Sequence, residues 1–233
     1  MQPADIFDMD RTLVRVNSSH KWAQFQRRRG NARPGDLART SWMLLQYMFG
    51  VLDMEALAHR AAATQVGKSE QEFRDLVRGW VRDEVLPHVA IDARRAVAKA
   101  KSLGRPCAIL TTSSNYVAEP VAQELGIEHV LSSRVEVKDG RFTGRLISLC
   151  YGAHKIGVAE QWAEEHGIDL DCSSFYSDSI SDLPMLERVG DPYVVNPDPR
   201  LRWAARRRGW PVLEWKVGVK EPFVEARSDR PDS

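Results

Sequence analysis

The stretch Ile6-Phe7-Asp8-Met9-Asp10-Arg11-Thr12-Leu13 decides how the rest of the sequence is interpreted. It begins as a short apolar strand and ends in two carboxylates two residues apart. Side chains alternate along a strand, so Asp8 and Asp10 leave on the same side if the strand continues. Such crowded charges must be hydrated, paired or bound to a metal, and hard divalent cations such as Mg²⁺ prefer oxygen ligands. Asp-x-Asp also occurs in surface loops and helix caps, so its meaning depends on the rest of the chain.

The composition limits the classes of function. With 233 residues, the chain is long enough for one large domain or for a core with a smaller insertion. A formal net charge of +1 creates no field that would attract nucleic acid or an anionic membrane. Two arginine runs, Arg27-Arg28-Arg29 and Arg206-Arg207-Arg208, each precede a glycine and are typical of solvated helix ends. No nucleic-acid partner is therefore predicted.

The cysteines and the apolar runs indicate a cytoplasmic protein. Cys107, Cys150 and Cys172 lie far apart without a CxxC pair, which argues against a disulfide framework and a cysteine zinc site. Cys107 and Cys150 have apolar neighbours and are predicted to be core residues. No secretory leader pattern opens the chain, and the apolar run 42–52 is too short to span a bilayer. Stable membrane insertion is not predicted, and the oligomeric state stays open.

Helical and strand patterns alternate from residue 92 onward. Predicted helices span 92–103, 115–125, 154–166, 182–189 and 199–208, and predicted strands span 106–111, 174–177, 192–195 and 211–215. Two further strand-like runs within 129–149 flank Asp139-Gly140, which is a good hairpin signal. This rhythm predicts an α/β fold with a doubly wound, mostly parallel sheet and helices on both faces.

Residues 14–86 interrupt this rhythm with helical patterns over 19–28, 34–49, 54–66 and 69–85. Helices of this length can bury a small core of their own. The sequence therefore predicts a core domain of residues 1–13 and 87–220, with a helical cap of residues 14–86 inserted into it. Residues 221–233 contain several Arg, Ser, Asp and Pro residues and are predicted to form a flexible tail.

Polar side chains follow several predicted strands at the point where each strand ends. In a doubly wound sheet, ligands bind beyond the carboxyl ends of the strands, so these side chains are expected to converge on one crevice. They are Asp8, Asp10, Thr111, Thr112, Ser113 and Asp178, with Lys155 at a helix start as a further candidate.

Several of these residues also have a simpler interpretation. Thr111 and its neighbours precede a helix, where a hydroxyl can seat a phosphate or cap the helix. Lys155 at a helix N-terminus opposes the helix dipole unless an anion lies close, but it could equally be solvated. Asp182 could cap the helix that it opens, whereas Asp178 has no such simple role and is interpreted as a metal ligand.

The motifs together resemble those of the haloacid dehalogenase superfamily of phosphohydrolases. The matching pieces are FDMDRTL (7–13), AILTTSS (108–114), GAHKIG (152–157) and YSDSISDLPML (176–186), and the likeness runs from about residue 4 to 215. It implies a Rossmann-like core, and the insertion after the first motif looks like the helical C1-type cap. With VEVKDGRFTGRL (135–146) and VVNPDPRLR (194–202), the chain looks most like subfamily IB, the phosphoserine-phosphatase-like group.

The resemblance implies catalytic roles for the motif residues. Asp8 would be the nucleophile that forms an aspartyl-phosphate, and Asp10 would protonate the leaving oxygen and then activate water. Lys155 would offset charge between Asp8 and the phosphate and bind phosphoryl oxygens. The remaining candidates for phosphate binding are Thr111, Thr112, Ser113 and Arg11.

The resemblance also implies a cofactor and a substrate class. Mg²⁺ would be held by Asp8, Asp178 and the backbone carbonyl of Asp10. Asp182 would support Lys155 or the metal ligands from behind. The partner would be a small phosphorylated metabolite.

Two departures from the family pattern concern the substrate. Arg11 stands where the superfamily often has a small residue, so it either points away or adds positive charge near the phosphate. Phosphoserine phosphatases carry a glutamate shortly after the first motif, whereas residues 14–18 contain no carboxylate, which counts against phosphoserine. Several cap residues could face the substrate, although each is more simply interpreted as a core or surface residue. They are Asn17, His20, Trp22, Phe25, Arg60 and Arg74.

The function predicted from these motifs is Mg²⁺-dependent hydrolysis of a small phosphate monoester. One alternative is a phosphotransferase or mutase, which would pass the phosphoryl group from Asp8 to an acceptor other than water. Another is a non-catalytic phospholigand-binding module. Such a module would be expected to have lost a motif carboxylate, and this sequence retains all of them. The apolar run 42–52 is interpreted as cap core, with a lipid-like substrate as the lesser alternative.

Overall fold

The computed structural model describes residues 1–30 and 54–217. Its strands are β1 Asp5–Phe7, β2 Cys107–Ser114, β3 His129–Lys138, β4 Arg141–Ser148, β5 Ser174–Ser177, β6 Asp191–Val195 and β7 Val212–Leu213. They form one sheet in the order β4-β3-β2-β1-β5-β6-β7, in which every pair is parallel except the β3–β4 hairpin. The predicted α/β fold with a mostly parallel sheet is confirmed.

Eight α-helices accompany this sheet in the described residues. They are α1 Ser18–Arg28, α2 Met54–Ala63, α3 Glu70–Glu84, α4 Ile91–Ser102, α5 Asn115–Leu125, α6 His154–His166, α7 Leu183–Arg188 and α8 Pro199–Arg208. Helices α6 and α8 end at Gly167 (φ 64°) and Gly209 (φ 69°), as the sequence predicts, because glycine adopts the left-handed cap conformation without strain. Short 3₁₀ turns occupy Leu86–His88, Leu170–Cys172 and Ile180–Asp182.

The two faces of the sheet have separate cores, because successive side chains of a strand point to opposite faces. Phe7 and Ile109 belong to one core, which is completed by buried residues of α3, α4 and α5. Ile6 and Leu110 belong to the other, which is completed by α6, α7 and α8. Helices thus cover both faces, as in a doubly wound fold.

Helices α1 and α3, which both lie between β1 and β2 in the sequence, share aromatic contacts. The ring of Trp22 on α1 lies 5.0 Å from that of Trp80 on α3, and Phe25 also packs there. Trp22 and Phe25 are therefore packing residues, in agreement with their simpler interpretation. The predicted helix over 34–49 and the predicted tail 221–233 lie outside the described residues, and the division into core and cap stays a prediction.

Several local expectations can be compared with the structure. Cys107 and Cys150 are buried free thiols, as predicted, and Cys172 is an exposed free thiol. Strand β2 runs three residues further than predicted, to Ser114, and β7 is limited to two residues. Across residues 1–30 and 54–217, no helix is both long and apolar enough to cross a membrane.

Candidate active site

Asp8 lies at the carboxyl end of the central strand β1, between β2 and β5. Strand β1 ends at Phe7, but the Asp8 amide still donates a hydrogen bond to the Tyr176 carbonyl of β5 over 2.8 Å. Asp8 is 7% exposed. The strand does not continue through Asp10, so the condition for both acids to leave on the same side of a strand is not met, and Asp10 lies in a tight loop.

Lys155 connects the β1 loop to the loop after β5. Its Nζ lies 2.9 Å from Asp8 Oδ1 and 2.9 Å from Asp182 Oδ2, and the residue is 1% exposed. Ser177 Oγ donates a further hydrogen bond to Asp182 Oδ2 over 2.6 Å. The interpretation of Lys155 as a solvated lysine is therefore wrong, because two carboxylates hold it inside the fold.

The position of Asp182 also decides between its two interpretations. It occupies the N-cap position of α7 but makes no side-chain capping hydrogen bond. Its carboxylate instead accepts hydrogen bonds from Lys155 and Ser177. Asp182 therefore orients Lys155 toward Asp8.

Burial and charge set the protonation of this cluster. Burial raises the pKa of Asp8 to about 7, with the attraction of Lys155 opposing this shift and repulsion from Asp182 adding to it. Burial alone would lower the pKa of Lys155, but Asp182 and Asp8 raise it above its ordinary value. The lysine therefore stays charged at neutral pH.

Asp10 is held by the first residue of α1. Ser18 donates its backbone N–H to Asp10 Oδ1 over 2.9 Å and its hydroxyl to Oδ2 over 2.8 Å. Ser113 Oγ lies 3.3 Å from Oδ2 and 3.0 Å from Ser18 Oγ. Burial raises the pKa of Asp10, and the hydrogen bonds from Ser18 oppose this shift. Asp10 thus connects the β1 loop, the end of β2 and the start of α1.

Thr111, Thr112 and Ser113 lie in an irregular part of β2. Thr111 pairs with Ser132 of β3, and Ser114 pairs with the next residue, Ser133. The register therefore shifts between Thr111 and Ser114. This bulge takes Thr112 and Ser113 out of the regular ladder, as bulges near functional sites often do. Thr111 is not the N-cap of α5, since Ser114 has that position and makes no side-chain capping hydrogen bond.

Asp178 lies directly after β5 and is 6% exposed. No hydrogen-bond donor or cation is within bonding distance of its carboxylate in the described parts of the chain. Burial raises the pKa of Asp178 to about 8, and repulsion from Asp8 and Asp182 adds to the shift. The backbone is fixed, since the Asp178 carbonyl accepts a hydrogen bond from the Asp198 amide over 2.9 Å.

This donor set fits a divalent cation. Asp8, Asp10, Asp178 and Asp182 bring four carboxylates together, and Lys155 is the cation that pairs with two of them. Carboxylate oxygens suit Mg²⁺, which neutralises such an excess of buried negative charge. Within the described ranges, no three His, Cys, Asp or Glu side chains form a metal group by themselves. A ligand set of the Asp8 and Asp178 carboxylates with the Asp10 backbone carbonyl is consistent with that finding. The Asp10 carboxylate is not needed in that set, because it is hydrogen-bonded to Ser18 and Ser113.

The other candidates have different surroundings. Arg11 is exposed on the β1 loop, and Arg60 is exposed on α2. Asn17 caps α1, because its side-chain oxygen accepts a hydrogen bond from the His20 amide, and the His20 ring is bonded to Gln24. Arg74 forms ion pairs with Glu70 and Glu119.

Three polar residues of this region escaped the sequence analysis: Ser18, Ser177 and Asp198. Asp198 accepts hydrogen bonds from the backbone amides of Ile180, Arg200 and Leu201, and so ties the loop after β5 to α8. The serines are short polar residues without a spacing signal, so the sequence gives no reason to select them. Asp198 had a signal, since an aspartate before Pro199 is a good N-cap.

The fold and this arrangement of acids and lysine define an α/β enzyme whose site lies at the carboxyl ends of parallel strands. The sequence pattern of haloacid dehalogenase-like hydrolases matches residues 6–187. The chain belongs to the haloacid dehalogenase-like hydrolase family.

Relatives and solved structures agree with this assignment. A histidinol-phosphatase of Neisseria meningitidis is 32% identical over 93% of this chain and all of its own length. Phosphoserine phosphatase SerB1 of Mycobacterium tuberculosis is 30% identical over 93% of this chain and 72% of its own. A Bordetella pertussis protein of unknown function has a TM-score of 0.81 at 32% identity, covering 91% of this chain and 98% of its own. A substrate-bound phosphoserine phosphatase, at 17% identity and a TM-score of 0.66 over 91% and 93%, shares the fold.

Proposed function

We propose that the chain is a Mg²⁺-dependent phosphatase that hydrolyses a small phosphate monoester through an aspartyl-phosphate on Asp8. The observation that carries the proposal is Lys155, whose Nζ lies 2.9 Å from both Asp8 and Asp182, beside the unpaired carboxylate of Asp178. A phosphate dianion repels a carboxylate nucleophile, so positive charge must be in place where the two meet. Lys155 supplies part of that charge and fixes the position of Asp8.

The reaction follows two steps of in-line displacement. In the first, an Asp8 oxygen attacks phosphorus, the ester P–O bond breaks, and Asp10 gives its proton to the leaving oxygen. In the second, Asp10 takes a proton from water, whose oxygen attacks phosphorus and displaces Asp8 as a carboxylate. Burial raises the pKa of Asp10 above that of an ordinary aspartate, which favours the protonated form that the first step requires.

The remaining residues bind and orient the phosphoryl group. Bound Mg²⁺, held by Asp8, Asp178 and the Asp10 carbonyl, would supply electrostatic stabilisation to the phosphoryl oxygens. The hydroxyls of Thr111 and Thr112, in the bulge of β2, support a phosphate contact. The Ser113 hydroxyl lies beside Asp10, and its amide donates to Thr111 Oγ1 over 3.2 Å, so Ser113 would orient these groups around the phosphate.

The substrate is proposed to be a small phosphorylated metabolite. The names of the relatives, histidinol-phosphatase and phosphoserine phosphatase, support this size class. The same names favour water, rather than another hydroxyl compound, as the acceptor of the phosphoryl group. Product analysis with added glycerol distinguishes hydrolysis from phosphoryl transfer.

The deciding experiment compares Asp8→Asn with Asp139→Asn. The second variant is the matched control, because it makes the same change at an exposed position in the turn between β3 and β4. Hydrolysis of p-nitrophenyl phosphate should need Mg²⁺ and fall by about 1,000-fold or more in Asp8→Asn, because the nucleophile is lost. Asp139→Asn should match the wild type, since asparagine tolerates the left-handed backbone there (φ 50°). Full activity of folded Asp8→Asn would reject the proposal.

A further inference from the structure

Two arginines of the β1 loop have no role in the steps above. Arg11 directly follows Asp10 and has a left-handed backbone with φ 59°, a conformation that costs energy for a residue with a side chain. Its amide donates to the Val16 carbonyl over 3.1 Å, and its carbonyl accepts a hydrogen bond from Arg15 Nη1 over 2.6 Å. The turn therefore brings the Arg15 guanidinium back to the backbone beside Asp10.

The guanidinium of Arg15 is partly buried. Neither Arg15 nor Arg11 takes part in an ion pair with another described residue. Arg15 lies within electrostatic range of Asp178, which attracts it, and of Arg11, which repels it. One of its five N–H donors is used by the Arg11 carbonyl.

The negative charge of Asp178 is not free to balance these arginines. In the proposed function, Asp178 is a ligand of the metal, so its charge is shared with a divalent cation. Two guanidinium groups then lie on the β1 loop within electrostatic range of the acid cluster, where they attract an anion and repel an ammonium group. Planar guanidinium groups are well suited to bind a carboxylate through two parallel hydrogen bonds.

We propose that Arg15, assisted by Arg11, is a specificity-determining residue that binds a carboxylate of the substrate while the phosphoryl group lies at Asp8. This inference rests on the proposed function, because it needs the phosphoryl group in that place. It narrows the substrate class to small phosphate monoesters of carboxylic acids. Esters whose only other charged group is an amine bind poorly beside the two arginines.

The main rival explanation is structural. Arg15 could serve only to hold the turn through the Arg11 carbonyl, in which case its loss would reduce the turnover of all esters alike. Lysine at position 15 keeps the positive charge but lacks the planar fork, so Arg15→Lys tests charge and geometry separately.

The experiment measures kcat/KM for two matched pairs of esters, 3-phosphoglycerate against glycerol 3-phosphate and phosphoserine against ethanolamine phosphate. Each pair differs by one carboxylate. The wild type should prefer the carboxylate member by about tenfold or more, as charge-assisted hydrogen bonds allow. Arg15→Gln should remove most of that preference, through a higher KM for the carboxylate member, and Arg15→Lys should restore part of it.

The control is Arg206→Gln, which removes the same charge from an exposed position near the end of α8 and should leave the preference unchanged. Equal rates for both members of each pair in the wild type, or an equal loss for both in Arg15→Gln, would overturn the inference and leave the proposed function standing. Asp8-independent hydrolysis, or no hydrolysis of any of the four esters, would overturn the proposed function and the inference with it.

Discussion

The two ends of β1 each hold a buried aspartate beside a cation, yet their charges are balanced differently. At the amino end, Asp5 Oδ2 lies 2.8 Å from Arg105 Nε, although the angle is not that of a hydrogen bond, and Tyr176 Oη donates to Asp5 Oδ1 over 3.3 Å. Arg105 also donates to the Ala4 carbonyl and to Ser174 Oγ. One carboxylate is thus paired with one guanidinium, so the charges of Asp5 and Arg105 balance each other.

At the carboxyl end, the acids outnumber the cation that pairs with them. Lys155 is shared by Asp8 and Asp182, while Asp178 has no bonded partner among the described residues. Unpaired buried charge destabilises a fold, so a site of this kind persists only where a ligand or a function compensates for it. The comparison separates an ion pair that supports the sheet from a group of charges that, in the proposed function, a cation and a phosphate would complete.

The strongest expected contrast is between Asp5→Asn and Asp8→Asn. Asp5→Asn leaves Arg105 buried without its partner and should reduce the free energy of unfolding by about 3 kcal/mol, with activity per folded molecule retained. Asp8→Asn should abolish turnover with a much smaller change in stability. Urea unfolding and phosphatase assays on both variants measure this contrast, and equal effects of the two variants on activity would break the comparison.

Asp178→Asn should change the response to metal. The substitution removes a buried carboxyl group that has no bonded partner and must take up a proton on folding, so the metal-free protein should be stabilised at neutral pH, by on the order of 1–3 kcal/mol. Mg²⁺ should raise the melting temperature of the wild type but not of this variant, because a ligand is lost. Asp139→Asn, at an exposed turn, serves as the matched control, and an undiminished Mg²⁺ response in Asp178→Asn would contradict the assignment.

The same charge excess predicts a pH dependence of stability. The pKa values of Asp8 and Asp178 are raised to about 7 and about 8, so the folded metal-free protein binds more protons than the unfolded chain between about pH 4 and pH 8. Its free energy of unfolding should therefore fall as the pH rises through this range. Mg²⁺ displaces these protons, so the stabilisation that it gives should be larger at about pH 8 than at about pH 6. Denaturant titrations with Mg²⁺ or with EDTA test both trends, and a metal effect independent of pH would speak against them.

A smaller effect on catalysis is expected from substitution of Ser18, the first residue of α1, which bonds to Asp10 in the loop after β1. Its hydrogen bonds lower the pKa of Asp10 against the effect of burial, so Ser18→Ala should move the basic limb of the kcat profile upward by about half to one pH unit. Ser19→Ala, at the exposed neighbouring position, should leave the profile unchanged. A lower rate without any shift of the limb would indicate that Ser18 only stabilises the turn.

The sequence predicted the sheet and most of its helices because apolar periodicity and glycine stops mark them directly. It also located Asp8, Asp178 and Lys155 at element ends, where the topology of a parallel sheet brings them to one edge. The length of β2 was missed, since Thr112-Ser113 is polar and the bulge has no apolar signature.

Contacts that depend on tertiary structure were not predictable in the same way. Whether Asp182 caps a helix or pairs with Lys155 depends on how α6 packs on the sheet, and sequence spacing does not contain that information. The same holds for Ser18 and Ser177, which become informative only when the carboxylates that they bind are located.

The most direct test of the central claim is to trap the phosphorylated enzyme. The wild type is mixed with substrate and Mg²⁺, quenched in acid, reduced with borohydride and digested for mass spectrometry. The account predicts that the peptide containing Asp8 carries homoserine at that position, in a Mg²⁺-dependent manner, and that the Asp5 side chain on the same strand is unchanged. A phosphoryl group on a serine or histidine, or turnover without any covalent intermediate, would contradict it.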